Sequence, residues 1–265
     1  MVLECKMVDM LIPPERRQLV NHNDAKVHLQ DKFVLICPDT NVLKRMVALG
    51  KYHTANDTSN YLKKLEHCLS NIEQWLSQME ACEKLFNMTE VGWIIPQQVL
   101  REVHNHLDKF PDLENYKNNF VNAEKSPHPP LQKAICSMIE KIDELIGKVI
   151  KIRACIVSDF IVLKEEPKHV SEAWKLVYDN KRPNARKDQQ MKDSVILCHL
   201  LDFHKIVGKP LFFWTFDSFN DIENRGLSSF PGNLLDNIVV ARDIREALSN
   251  IEHKVKRISL KKLGS

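Results

Sequence analysis

Four carboxylates stand where a protein could use them for chemistry. Asp39 follows the apolar run Phe33-Val34-Leu35-Ile36-Cys37 and the Pro38 that closes it, and Asp217 lies just beyond Leu211-Phe212-Phe213-Trp214-Thr215. Glu102 belongs to a stretch of helical period begun by Pro96, where it shares a face with Val99, Val103 and His106. Asp193 opens a second such stretch, Lys192–Val207, and Ile196, Leu197, Leu200 and His204 continue its face at three- and four-residue spacing. In an open parallel sheet the ligand crevice lies beyond the carboxyl ends of the strands, so acids at these positions are aimed into it. Carboxylates gathered there repel one another. A hard divalent cation with oxygen ligands, Mg²⁺ or Mn²⁺, resolves that conflict. The matching chemistry is hydrolysis of a phosphodiester by water activated at the metal, which also stabilises the leaving oxygen. Any one acid after a strand is more often a helix N-cap than a ligand; the four together are what point to a metal.

The elements that must position these acids are legible in outline. Phe33–Cys37 is apolar throughout and β-favouring, as are Gly92-Trp93-Ile94-Ile95, Leu211–Thr215 and Asn237-Ile238-Val239-Val240. Such runs read as strands buried on both faces, and each is followed by helical period, so the sheet should be parallel with Phe33–Cys37 central. Leu62, Leu65, Leu69, Ile72, Leu76, Met79 and Phe86 make one long amphipathic helix, about 58–86, with Asp57-Thr58-Ser59 as N-cap candidates. Ile135, Met138, Ile142, Leu145, Val149 and Ile152 make another, about 131–152, begun after Pro129-Pro130. Both stripes read as core packing rather than a dimer surface. The fold expected is α/β, a three-layer α/β/α sandwich around a central parallel sheet, with these long helices added. Residues 1–30 read as an N-terminal extension, 31–250 as the catalytic domain with a helical insertion at 109–180, and 251–265 as a basic tail.

Composition narrows the classes. The chain has 265 residues, 43% hydrophobic, and a net charge of +3, which excludes a disordered polymer and does not by itself demand a nucleic-acid partner. No apolar run approaches the roughly 18–20 residues of a membrane helix. Glu4, Lys6, Asp9 and Glu15 interrupt any signal-peptide core, and the seven scattered cysteines form no C-x-x-C pair. The expectation is a reduced, cytoplasmic protein without a membrane partner.

The order Asp39-Thr40-Asn41, Glu102, Lys192-Asp193-Ser194 and Thr215-x-Asp217, with Arg182-Pro183 ahead of Lys192, resembles the PIN nuclease domain. The resemblance covers about residues 33–248, with nothing specific matched over 109–180. It implies a metal-dependent endoribonuclease in which Asp39, Glu102, Asp193 and Asp217 hold Mg²⁺ or Mn²⁺, and Thr40, Asn41 and Thr215 hydrogen-bond around them. The partner implied is RNA or single-stranded DNA, with room for a protein regulator and for a role as a toxin or defence effector. One departure is plain. Where the similar subgroup often has a further acid two residues past Asp217, this chain has Phe219, so Asp221 stands as an optional fifth ligand.

Arg182, Arg186 and Lys187, together with Lys192, are the candidates for gripping a phosphate backbone. Away from a crevice, the same basic run is a solvated loop and Lys192 a solvated first-turn lysine. His106 and His204 read as core histidines. A dehalogenase-type phosphotransferase would need a second Asp where this chain has Asn41, and no glycine cluster follows any strand to cradle a nucleotide. The competing class is a PIN-fold binding module, for nucleic acid or protein, with weak or no catalysis.

Overall fold

The computed structural model describes residues 18–47, 61–106, 117–118, 129–179, 191–215, 238–241 and 243–263. Its sheet has six strands: β1 (Leu19–Val20), β2 (Val34–Pro38), β3 (Val91–Pro96), β4 (Phe160–Leu163), β5 (Leu211–Trp214) and β6 (Ile238–Ala241). They lie in the order β1-β4-β3-β2-β5-β6, and every neighbouring pair is parallel. All residues of β2, β3 and β5 are buried, as strands covered on both faces require. β2 is interior, between β3 and β5, as its unbroken apolar character demands.

Two strands escaped the sequence reading. β4 lies within the 109–180 stretch read as helical, and β1 within residues 1–30 read as an extension. β4 follows its helix directly, without Gly or Pro between them, and periodicity alone cannot separate a four-residue apolar strand from the helix it continues. β1 has only two residues and is placed by pairing with β4.

Eight helices accompany these strands among the described residues: α1 (His22–His28), α2 (Thr40–Val47), α3 (Tyr61–Phe86), α4 (Gln97–His106), α5 (Pro129–Asp159), α6 (Pro167–Tyr178), α7 (Met191–Val207) and α8 (Ile244–Leu263). α3 packs along α5 and also meets α8. The stripe on α5 runs on to a buried Ile156, past the expected end near 152, and faces Ile72, Leu76 and Met79. Burying each such side chain stabilises by roughly 1.5–3 kcal/mol, so the long helices are core. The N-cap candidates Asp57–Ser59 lie outside the described residues.

On the other flank, α7 meets both α1 and α6. The turn after α1 docks through Leu29 against Gly92 of β3. A Cβ at Gly92 would sit 2.6 Å from Leu29 Cδ2 and 2.9 Å from Leu35 Cδ2, which explains a glycine inside a buried strand. Lys209 Nζ donates to the carbonyls of Leu29, Gln30 and Lys32, joining the end of α1 to the start of β5.

From β2 the chain winds one way through β3 and β4, then returns to β5 on the opposite side of β2. The boundary between β2 and β5 is therefore the point where strand order reverses, the position at which α/β sheets open a crevice.

Candidate active site

Asp39 sits at that reversal. Register pairs Cys37 with Phe213 and Pro38 with Trp214, so the chains leave the sheet side by side and the Asp39 N–H donates to the Trp214 carbonyl at 2.8 Å. The next residue on β5's side, Thr215, then donates its hydroxyl to Asp39 Oδ2 at 2.9 Å, while the Thr40 N–H donates to Oδ1 at 2.6 Å. Asp39 also holds the N-cap place of α2, its carbonyl accepting the Leu43 N–H at 2.9 Å. The cap and the site are thus one residue. Its carboxylate is buried with a donor on each oxygen, which offsets a desolvation that would otherwise favour the neutral acid.

Glu102 arrives from α4, on the face that buries Val99 and Val103. Thr40 Oγ1 donates to its Oε2 at 2.7 Å, so Thr40 ties Asp39 and Glu102 together through its backbone and its hydroxyl. Gln98 Nε2 donates to Glu102 Oε1 at 3.2 Å, a partner the sequence reading missed although it lies one helical turn away. Lys192 Nζ stands 4.0 Å from that same oxygen. Lys192 nevertheless keeps 61% of its side chain exposed. Asp193 follows it in the first turn of α7 and lines one cleft with Asp39, Ile196, Leu197 and Phe213.

Asp39, Glu102, Asp193, Thr40 and Thr215 are thereby brought to one end of β2 and β5, with Asn41 half-buried at the start of α2. Asp217, Asp221, Arg182, Arg186 and Lys187 lie outside the described residues, as does the side chain of His106. His204 is buried as expected, but its Nε2 has no hydrogen-bond partner, and burial lowers its pKa.

Among the described residues, the side chains close enough for three to share one ion are not these acids but His22, His169 and His199, each offering one atom within 4.8 Å of the others. They come from α1, α6 and α7, and all three are buried. The rings stack, with centroids 5.2 Å (His22 and His169), 4.8 Å (His22 and His199) and 4.4 Å (His169 and His199) apart. Asp202 stands beside them: its Oδ2 lies 2.9 Å from His22 Nδ1, 3.2 Å from His169 Nε2 and 2.9 Å from Lys168 Nζ. Burial would raise the Asp202 pKa, yet the bonds from Lys168 and His169 together outweigh it and hold the carboxyl at about 2. Burial, then the neighbouring His169 and His22, pushes His199 down to about 2. Burial lowers His22 as well, against the pull of Asp202.

The signal that could have found this group is His199-x-x-Asp202, two ligating types one turn apart on a helix. Its partners at 22 and 169 carry no local signal.

Compared with protein-family models, with curated proteins and with solved structures, the chain gives no match.

Proposed function

We propose that this chain is a metal-dependent nuclease of PIN-like, three-layer architecture, acting on RNA through its acidic site. The observation that carries the reading is the Thr40 bridge, which holds two acids of distant sequence, Asp39 and Glu102, at the strand-order reversal while Asp193 faces the same cleft. The donor set is all oxygen, which fits a hard cation such as Mg²⁺ or Mn²⁺ and not a thiophilic one. Asp39, Glu102 and Asp193, joined by Asp217, would hold it. When bound, such a cation supplies an activated water and charge stabilisation for phosphodiester hydrolysis.

The chain's own residues do the positioning. Thr40 and Thr215 fix the carboxylate of Asp39 in place, and Thr40 and Gln98 do the same for Glu102. The exposed ammonium of Lys192 favours a phosphate at the cleft mouth, with Arg182, Arg186 and Lys187 as the further cationic contacts. One observation favours the alternative of a non-catalytic binding module. Lys192 lies close enough to Glu102 to offset part of the charge that would draw a cation.

End-labelled single-stranded RNA incubated with Mn²⁺, with Mg²⁺ and with EDTA separates the two. Cleavage that needs the cation and leaves 5′-phosphate and 3′-hydroxyl ends is expected. Metal-independent cleavage, 2′,3′-cyclic phosphate ends, or binding without cleavage would overturn the nuclease reading.

A further inference from the structure

The face of α6 that turns away from the core carries two aromatic rings. Trp174 is 59% and Tyr178 88% exposed, although each ring is a large apolar surface to leave in water. They stand one turn apart, so their side chains rise from the same side of the helix. The opposite side is committed: His169, Ala173 and Val177 are buried, and the phase of the helix therefore holds both rings outward. Around them Ser171, Glu172, Lys175 and Asp179 are all exposed, which suits two separate ring faces rather than the broad apolar surface a protein partner would cover.

Two further observations say what such rings fit. α6 and α7 run antiparallel: His169, near the start of α6, meets Asp202 late in α7, while one apolar cluster gathers Leu176 with Met191, the first residue of α7. Tyr178 thus lies at the end of the pair where Lys192 and Asp193 open α7, and Asp193 lines the acidic cleft. The sequence there is cationic. Residues 175–192 carry six Lys or Arg against two Asp, a net charge of +4 where the whole chain nets +3. Exposed aromatic rings beside a run of cations are the combination with which proteins hold unpaired nucleic acid, the cations on phosphates and the rings on base faces.

We propose that Trp174 and Tyr178 form a stacking platform for bases of single-stranded RNA at the cleft end of α6. The choice of occupant rests on the nuclease reading above; the platform adds which part of the strand is held outside the cleft, and by what. A duplex hides its base faces, so the rings select single strands. Every base has such a face, so they select no sequence. A cationic run alone would grip either form.

The test measures binding rather than cleavage: the full chain in EDTA, with fluorescein-labelled single-stranded RNA of mixed sequence followed by anisotropy across a salt series. Both rings are exposed, so Trp174→Ala and Tyr178→Ala should fold as the parent does, which thermal melting checks. Each should raise Kd by roughly 5–150-fold, the usual loss for one stacked base. Trp174→Phe and Tyr178→Phe should keep most of the affinity, and the salt slope should not change in any variant, because no phosphate contact is lost. Binding of a blunt RNA duplex should be the same throughout. Unchanged single-strand affinity in both alanine variants overturns the proposal, as do phenylalanine variants no better than the alanine ones, a flattened salt slope, a parent that binds no RNA, or a parent dimer that Trp174→Ala dissociates. The nuclease reading fails separately. A parent that binds through the rings and never cleaves with Mn²⁺ supports the platform and overturns that reading alone, whereas one that cleaves with an affinity indifferent to the rings overturns only the platform.

Discussion

The acidic site and the histidine cluster are both buried groups of titratable side chains, yet they solve the cost of burial in opposite ways. At the end of β2 each oxygen of Asp39 and of Glu102 has a polar neighbour, supplied by Thr40, Thr215, Gln98 or Lys192. Between α1 and α7 neither nitrogen of His199 has a hydrogen-bond partner, while His22 Nδ1 faces Asp202, and burial lowers the pKa of both rings instead. A carboxylate kept charged in a low-dielectric place needs fixed donors, whereas an imidazole escapes the same penalty by giving up its proton. The first arrangement fixes its side chains by hydrogen bonds; the second holds His199 by stacking between His22 and His169 and leaves its nitrogens without a hydrogen bond.

The largest effect that bears on this contrast is loss of the central acid. Asp39→Asn should reduce RNA cleavage by more than the roughly 10–100-fold that losing an outer hydrogen-bond partner costs a metal site. Thr215→Val, which removes one such partner, should fall within that range. A rate assay across both variants checks the order, and equal losses would erase the distinction between ligand and support.

Thr215→Val should also destabilise the fold by about 1–3 kcal/mol, because Asp39 Oδ2 loses a donor in a buried place. Urea denaturation measures it. The contrasting substitution is His199→Gln in chelator, which removes no hydrogen bond and should cost less.

The pH dependence distinguishes the two regions further. His199 has a folded pKa of about 2, against about 6.5 in the unfolded chain, so the unfolded state binds the extra proton as pH falls below 6.5. The stability it contributes is therefore fully present above that value and lost on acidification, by about 2 kcal/mol between pH 7 and pH 5. His22 acts in the same direction, and the nearby Asp202 and Lys168 keep their charges across that range. Unfolding free energies in EDTA at both pH values should show a steeper fall for the parent than for His199→Gln. Parallel falls would mean that His199 is not held neutral.

The smallest expected change is at Asp193. In EDTA, Asp193→Asn removes one charge from the acidic cleft and should melt no lower than the parent, against the usual cost of about 0.5–3 kcal/mol. With Mn²⁺ at a hundred times its dissociation constant the parent should gain about 2.7 kcal/mol and the variant much less. A variant that melts well below the parent in EDTA and still shows the full Mn²⁺ shift would make Asp193 a structural residue of α7.

By itself, the sequence determined the local elements and the acids' places on them. Phe33–Cys37 reads as an interior strand because an unbroken apolar β-favouring run closed by Pro38 suits burial on both faces. Asp39 then emerges at its carboxyl end, the period of α4 puts Glu102 on its buried face, and Asp193 falls in the first turn of α7. What only the tertiary structure decided is everything that joins segments far apart in the chain. The Thr40 hydroxyl's choice of Glu102, the Thr215 hydroxyl's choice of Asp39 and the approach of Lys192 follow from strand order and register, which no local pattern encodes. β4 is a strand because β3 and β1 offer it ladders on both sides, not because its four residues differ from the helix before them. His22, His169 and His199 are ordinary residues on three separate helices until α1 and α6 pack on α7. Side-chain periodicity records which face of a helix is buried, and only packing records what that face meets.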